Sequence, residues 1–127
     1  MIVEADQELW LSAVIGSQAS IADAITSLES SSIKIVMVSG KNGKLIGTVS
    51  DGDIRRALIT GETLTSKILA VMEPKPLVAP VGTKIDKVLE LMAVHKIDQI
   101  PIVDSSNNIV GLYLWQTGTL HLKLQNK

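Results

Sequence analysis

The stretch Lys44-Leu45-Ile46-Gly47-Thr48-Val49-Ser50-Asp51-Gly52-Asp53 has an echo 64 residues later. There Leu45-Ile46-Gly47 returns as Ile109-Val110-Gly111. Working outward at the same shift, Ile21 falls on Ile85, Ile25 on Leu89, Leu28 on Met92, Ile33 on Ile97 and Val38 on Ile102, without a gap. Self-similarity at one fixed spacing across 127 residues means two copies of one unit. Positions where the copies agree are expected to build the fold. Where one copy has Ser50 and Asp53, the other has Leu114 and Thr117, so these polar residues are free to serve a ligand.

Each copy reads as helix, strand, turn, strand, helix. Ser20 and Asp23 have capping-box spacing, and apolar positions 21, 24, 25 and 28 follow with helical period. Ser30 to Ser32 end that helix. Ile33 to Val38 and Leu45 to Val49 read as strands joined through an Asn42-Gly43 turn, with Lys41 and Lys44 solvated beside it. Asp51 to Thr60 reads as a helix closed by Gly61, and Leu64 to Met72 as a shorter one. Two prolines in Glu73-Pro74-Lys75-Pro76 break the chain into repeats spanning 1–72 and 73–127. In the second copy Thr83-Lys84-Ile85-Asp86 has a capping signature. Positions 85, 88, 89 and 92 repeat the stripe, and Gln99 to Val103 and Ile109 to Trp115 are strands. Leu9 to Ile15 is a short apolar lead-in, helix or strand, and the tail from Thr117 to Lys127 looks frayed. Strands apolar on nearly every residue want cover on both faces. The expected fold is α/β (α+β): two repeats with pseudo-twofold symmetry, small sheets facing each other and helices outside, sharing one core.

Composition narrows the function. Hydrophobic residues make up 46% and charged residues 20%, which is globular. Net charge is −1, with no basic excess for nucleic acid, and Trp10, Tyr113 and Trp115 are too few for base-stacking platforms. There is no cysteine, no basic-then-apolar leader and no apolar run long enough to span a membrane, so a soluble cytoplasmic setting is expected. His95 and His121 lack partners at metal-ligand spacing and read as surface residues. Met37, Met72 and Met92 read as core. No paired acid, base, nucleophile or metal set is visible, so the chain is not expected to be an enzyme.

One constellation remains, at the junction of the Leu45 strand and the helix after it. Such a helix start offers free N–H groups and a positive dipole end to a phosphate. Ser50 can donate to a phosphate oxygen, and Asp53 can accept from the vicinal hydroxyls of a ribose. Arg55 and Arg56, the only arginines, suit phosphate, and Gly52 allows close approach. The same Ser-x-x-Asp is also a capping box, and two adjacent arginines also make a solvated face.

Together, the repeat, Lys44 to Leu58, and His95-Lys96-Ile97-Asp98-Gln99-Ile100-Pro101-Ile102-Val103-Asp104 resemble the cystathionine-β-synthase (CBS) domain family, from about Ile15 to Trp115. The resemblance implies a tandem pair binding adenosine nucleotides in clefts between its sheets. Ser50 and Asp53 match the family's phosphate and ribose contacts. The resemblance places Ile33, Lys34 and Ile35 beside the base and Ser20 on the phosphate side. Leu114 and Thr117 depart from the binding pattern in the second copy, where Gln116 and Thr117 remain polar. Ser50 to Leu58, Gly61 and Val71-Met72-Glu73-Pro74-Lys75-Pro76 are also similar to the CBS pair preceding a sugar-phosphate nucleotidyltransferase of the mannose-1-phosphate guanylyltransferase kind. That implies a regulatory module, with no required cofactor, binding AMP, ADP or ATP on the first repeat and controlling such an enzyme. A guanine nucleotide is the variant which that context allows. The alternative is a ligand-free module that assembles the enzyme as a homodimer.

Overall fold

The computed structural model describes residues 1–116. Strands apolar on nearly every residue sort the chain into two sheets. Strands β2 (Val14–Gly16), β3 (Ile35–Ser39) and β4 (Leu45–Ser50) form one sheet in the order β2-β3-β4. Strands β1 (Ile2–Glu4), β5 (Ala79–Pro80), β6 (Gln99–Val103) and β7 (Ile109–Trp115) form the other in the order β1-β7-β6-β5. Helices are α1 (Gln7–Leu11), α2 (Ile21–Ser31), α3 (Asp51–Ile59) and α4 (Ile85–His95).

The spacing of 64 runs through the backbone. α2 recurs as α4, β3 as β6, and the parallel pair β2–β3 as β5–β6. Both hairpins carry a register shift at the same place, between Val38 and Ser39 and between Ile102 and Val103. Both first helices end on a left-handed residue, Ser32 at φ 58° and Lys96 at φ 54°. The hairpin tips clip together. Lys44 Nζ donates to the Ser106 carbonyl at 2.6 Å, and Asn107 Nδ2 donates to the Leu45 carbonyl at 2.8 Å.

β3 shows why its strand must be apolar throughout. Met37 points into a cluster with Ala13, Leu45, Val103, Leu112 and Leu114, drawn from both sheets. Val36 and Val38 point the other way, onto Ile21, Ala24, Ile54 and Ile68. On the second sheet Ile100 and Ile102 pack beneath Val88 and Met92 of α4. The sheets therefore face each other with α2, α3 and α4 outside, as expected. Each fully buried Ile or Met contributes about 1.5–3 kcal/mol by leaving water.

Four local expectations change. Leu9 to Ile15 is neither one helix nor one strand but α1 followed by β2. The strand expected from Ile33 begins at Ile35, while the expected Asn42-Gly43 turn is present as a short 3₁₀ turn, Lys41–Gly43. Leu64 to Met72 is not a helix. Its Leu64 and Ser66 carbonyls accept from Ala22 and Ile21 N–H at 2.9 Å, capping α2 as a strap, and only Ile68–Ala70 turns as 3₁₀. Thr83 does not cap α4; its hydroxyl donates to the Pro80 carbonyl at 2.6 Å, and Lys84 is the N-cap residue. Residues 2–4, unassigned from sequence, cross to the second sheet as β1, antiparallel to β7. Met37 and Met92 are core as expected, and Met72 packs against it.

Candidate functional site

β4 ends and α3 begins at Ser50, an extended residue whose side chain turns back on the helix. Ser50 Oγ accepts from Asp53 N–H at 3.2 Å, while Asp53 Oδ2 accepts from Ser50 N–H at 2.8 Å. The capping box is complete, so this bland role of the motif is realised. α2 carries the same device at the same distances within 0.1 Å: Asp23 N–H to Ser20 Oγ at 3.2 Å and Ser20 N–H to Asp23 Oδ2 at 2.9 Å. Motif alone therefore distinguishes nothing; location does.

Ser50 and Asp53 line a cleft of about 560 Å³, within the range of small-ligand sites. Ile35 and Thr48 line it from the first sheet, and His95, Ile97 and Gln99 line it from the end of α4 and the start of β6. Its remaining wall is the linker, including Glu73 and Lys75, held by backbone pairing to β4: Glu73 N–H donates to the Thr48 carbonyl at 2.8 Å and Thr48 N–H to the Glu73 carbonyl at 3.1 Å. Gly47 is what allows this approach. A Cβ there would stand 2.5 Å from Met72 Sδ and 2.7 Å from the Glu73 carbonyl oxygen.

The other expected residues scatter. Ile33 and Lys34 do not line the Ser50 cleft; they line the symmetry-related cleft of about 440 Å³ with Leu114, Trp115 and Gln116, and a further depression that includes Asp51. The cause is the turn at left-handed Ser32, after which Ile33 is drawn into the inter-sheet core before β3 starts. Of the three base-side residues only Ile35 reaches the Ser50 cleft. Ser20 is occupied with capping α2 and bridging to Lys67, and is not among the residues lining that cleft. Arg55 pairs with Asp51 one turn back, both side chains more than two-thirds exposed. Arg56 Nη2 pairs with Asp53 Oδ1 at 2.8 Å and borders a separate depression beside α3. Such exposed pairs add at most about 1 kcal/mol. Gly52 is roomier than Gly47, its nearest neighbour for a Cβ being the flexible Arg56 guanidinium at 3.3 Å.

Glu73, Lys75 and His95 were missed as site residues. His95 is exposed as expected, but exposed into the cleft. The legible signal was Gly47, glycine inside a strand, which marks close approach of another backbone. Lys44 is exposed as expected, and its ammonium also ties to the facing hairpin. Thr117 and His121 lie outside the described residues. Among the described residues no helix is long and apolar enough to cross a membrane, and no group of three or more His, Asp and Glu gathers as a metal site.

The CBS domain model matches residues 12–60 and 68–113. An uncharacterized protein of Helicobacter pylori is 32% identical over 113 residues, covering 87% of this chain and 34% of that protein. An inosine-5'-monophosphate dehydrogenase from Helicobacter pylori is 38% identical over 100 residues, covering 77% of this chain and 20% of the enzyme. The chain thus spans about a third or less of the length of these relatives. A solved CBS domain protein from Pyrobaculum aerophilum complexed with AMP superposes with a TM-score of 0.73 at 17% identity, covering 91% of this chain and 92% of that one. With its two matched segments falling on the two copies of the 64-residue unit, this chain belongs to the CBS domain family as a tandem pair.

Proposed function

We propose that this CBS pair is a regulatory module that binds an adenosine nucleotide, AMP, ADP or ATP, in the cleft built on its first repeat. The carrying observation is that a hydroxyl and a carboxylate, Ser50 and Asp53, converge at a helix start inside an open cleft that also brings in the linker and the second repeat. Asp53 accepts from the ribose hydroxyls, Ser50 donates to phosphate, and the apolar walls at Ile35 and Ile97 flank the base. The AMP held by the Pyrobaculum aerophilum protein of the same fold supports an adenosine ligand. The nucleotide acts as a regulatory ligand rather than a cofactor. The cleft joins both repeats, so occupancy favours whichever packing of the two binds it better, and shifts an associated enzyme only by that difference in affinity. The likeness at Ser50 to Leu58 and Val71 to Pro76 supports a sugar-phosphate nucleotidyltransferase as that enzyme, in the cytoplasm.

Calorimetric titration with AMP, ADP, ATP and GTP tests the reading. A nucleotide at 100 times its Kd also stabilises the fold by about 2.7 kcal/mol, visible as a raised Tm. Failure of all four to bind the folded chain would overturn it.

A second reading, assembly of a homodimer without ligand, would leave the Ser50–Asp53 motif as a helix cap and would use the apolar residues exposed on α4, Ile85 at 52% and Leu89 at 46%. Concentration-dependent sedimentation, with no response to any nucleotide, would select it.

A further inference from the structure

The cations closest in sequence to the Ser50 motif are not the ones its cleft offers. Arg55 and Arg56 each already hold a carboxylate, Asp51 and Asp53, and neither lines the cleft. Lys75 and His95 do line it, from the linker and from the end of α4. Among the described residues, neither the Lys75 ammonium nor the His95 ring has a hydrogen-bond or ion-pair partner. Lys75 is also fixed in place: its N–H donates to Glu73 Oε2 at 3.1 Å, and Glu73 is pinned to Thr48 by the two backbone bonds across Gly47.

Resting on the nucleotide reading above, we infer that the ligand's phosphate is held by Lys75 and His95, opposite Ser50, and not by the arginines of α3. A phosphate monoester carries about −1.5 to −2 at neutral pH and would otherwise stand beside the Glu73 and Asp53 carboxylates. One lysine and one imidazole donor can hold a single phosphate but not a free triphosphate chain, so the cleft suits a nucleoside monophosphate. The linker thereby becomes a ligand-binding element: the chain joining the two repeats feels the phosphate directly.

Calorimetry of the full chain with adenosine and with AMP, at pH 6.5 and low salt without divalent cations, tests this. Lys75→Gln is expected to weaken AMP about tenfold, the loss of one charge-assisted hydrogen bond, while adenosine stays within about twofold. His95→Gln costs AMP about threefold, the loss of one hydrogen bond to the phosphate. Arg55→Gln and Arg56→Gln keep the preference for AMP over adenosine. Free ATP binds more weakly than AMP. The assignment is overturned if an arginine variant erases that preference while Lys75→Gln retains it, or if Lys75→Gln weakens adenosine as much as AMP. Equal binding of adenosine and AMP by the unaltered chain ends this inference and leaves the nucleotide cleft standing. Binding of neither ends both. Unfolding midpoints of the variants, all at exposed positions, confirm that each is folded.

Discussion

The two clefts are one piece of fold made twice, and they differ where it matters for chemistry. At the end of the returning strand, the first cleft has Ser50 and the second Leu114. Thr48 of the first is Leu112 in the second. What the copies share is the apolar and backbone grammar: the register shift, the left-handed residue after the helix, glycine in the returning strand. What they do not share is the hydroxyl at the strand end: Ser32, Lys34, Asp98 and Gln99 keep the second cleft polar, but Leu114 stands where the first has Ser50. Duplication preserved what folds and let the binding groups diverge, so a ligand is expected on one side only.

That contrast breaks most visibly at the strand end itself. Leu114 is 8% exposed and packs in the cluster between the sheets, so Leu114→Ser removes core and is expected to cost about 2–5 kcal/mol. Ser50→Ala, the same position in the other copy, loses only a helix cap, about 0.5–2 kcal/mol, together with nucleotide affinity. Chemical denaturation of the two variants reads the difference. Equal losses would mean that Ser50 is as much a core residue as its twin.

Glycine in the returning strand sharpens the comparison next. Gly47→Ala would drive a Cβ against the Glu73 carbonyl at 2.7 Å, a backbone atom, whereas Gly111→Ala meets the Ile102 Cδ1 methyl at 2.9 Å, the end of a flexible side chain. The first is expected to cost about 1–3 kcal/mol, to displace the linker and to weaken nucleotide binding. The second costs less and leaves binding intact. Tm and calorimetric affinity measured together separate the two.

A finer contrast lies within the first repeat, between two identical caps. Ser20→Ala and Ser50→Ala should cost similar stability, about 0.5–2 kcal/mol each, since their geometry agrees within 0.1 Å. Only Ser50→Ala should weaken a nucleotide. Equal loss of affinity in both would show that helix integrity, and not the hydroxyl, supports binding.

These pairs also show how far residue patterns reach. The repeat was legible because buried strands and helix stripes must be apolar at fixed spacing, and the fold keeps that spacing down to the bulges. The pairing of both arginines with carboxylates of their own helix was legible too: Asp51 and Arg55 stand four apart and Asp53 and Arg56 three apart, the spacings at which helix side chains pair. β1 and the strap from Leu64 to Ser66 were not legible. Their places are set by backbone hydrogen bonds to distant partners, Ile2–Glu4 to β7 and two carbonyls to the first turn of α2, and such bonds demand no particular side chain. The same holds for Glu73 and Lys75, brought into the cleft by a main-chain latch whose one sequence trace is Gly47.

The smallest expected effect separates the two hairpin turns. In the first, Gly40 occupies the position that Asp104 holds in the second, and its N–H donates to the Lys44 carbonyl at 2.8 Å with no carboxylate involved. Asp104 accepts from Asn108 N–H at 2.9 Å and Nδ2 at 3.1 Å and from Ser106 N–H at 2.9 Å. These bonds, those from Asn108 foremost, hold its carboxyl below the ordinary 3.8, with the Lys44 ammonium adding in the same direction. A carboxyl whose pKa is lowered by folding stabilises the fold above its unfolded pKa and loses that contribution as pH falls through the folded value. The Tm gap between the unaltered chain and Asp104→Ala should therefore be widest near neutrality and narrow on acidification below about pH 4, whereas a substitution at Gly40 leaves a gap independent of pH over that range. A gap for Asp104→Ala that stays constant to pH 2 would mean that the carboxylate charge contributes nothing to closing the second turn, and that the two turns are held by their backbones alike.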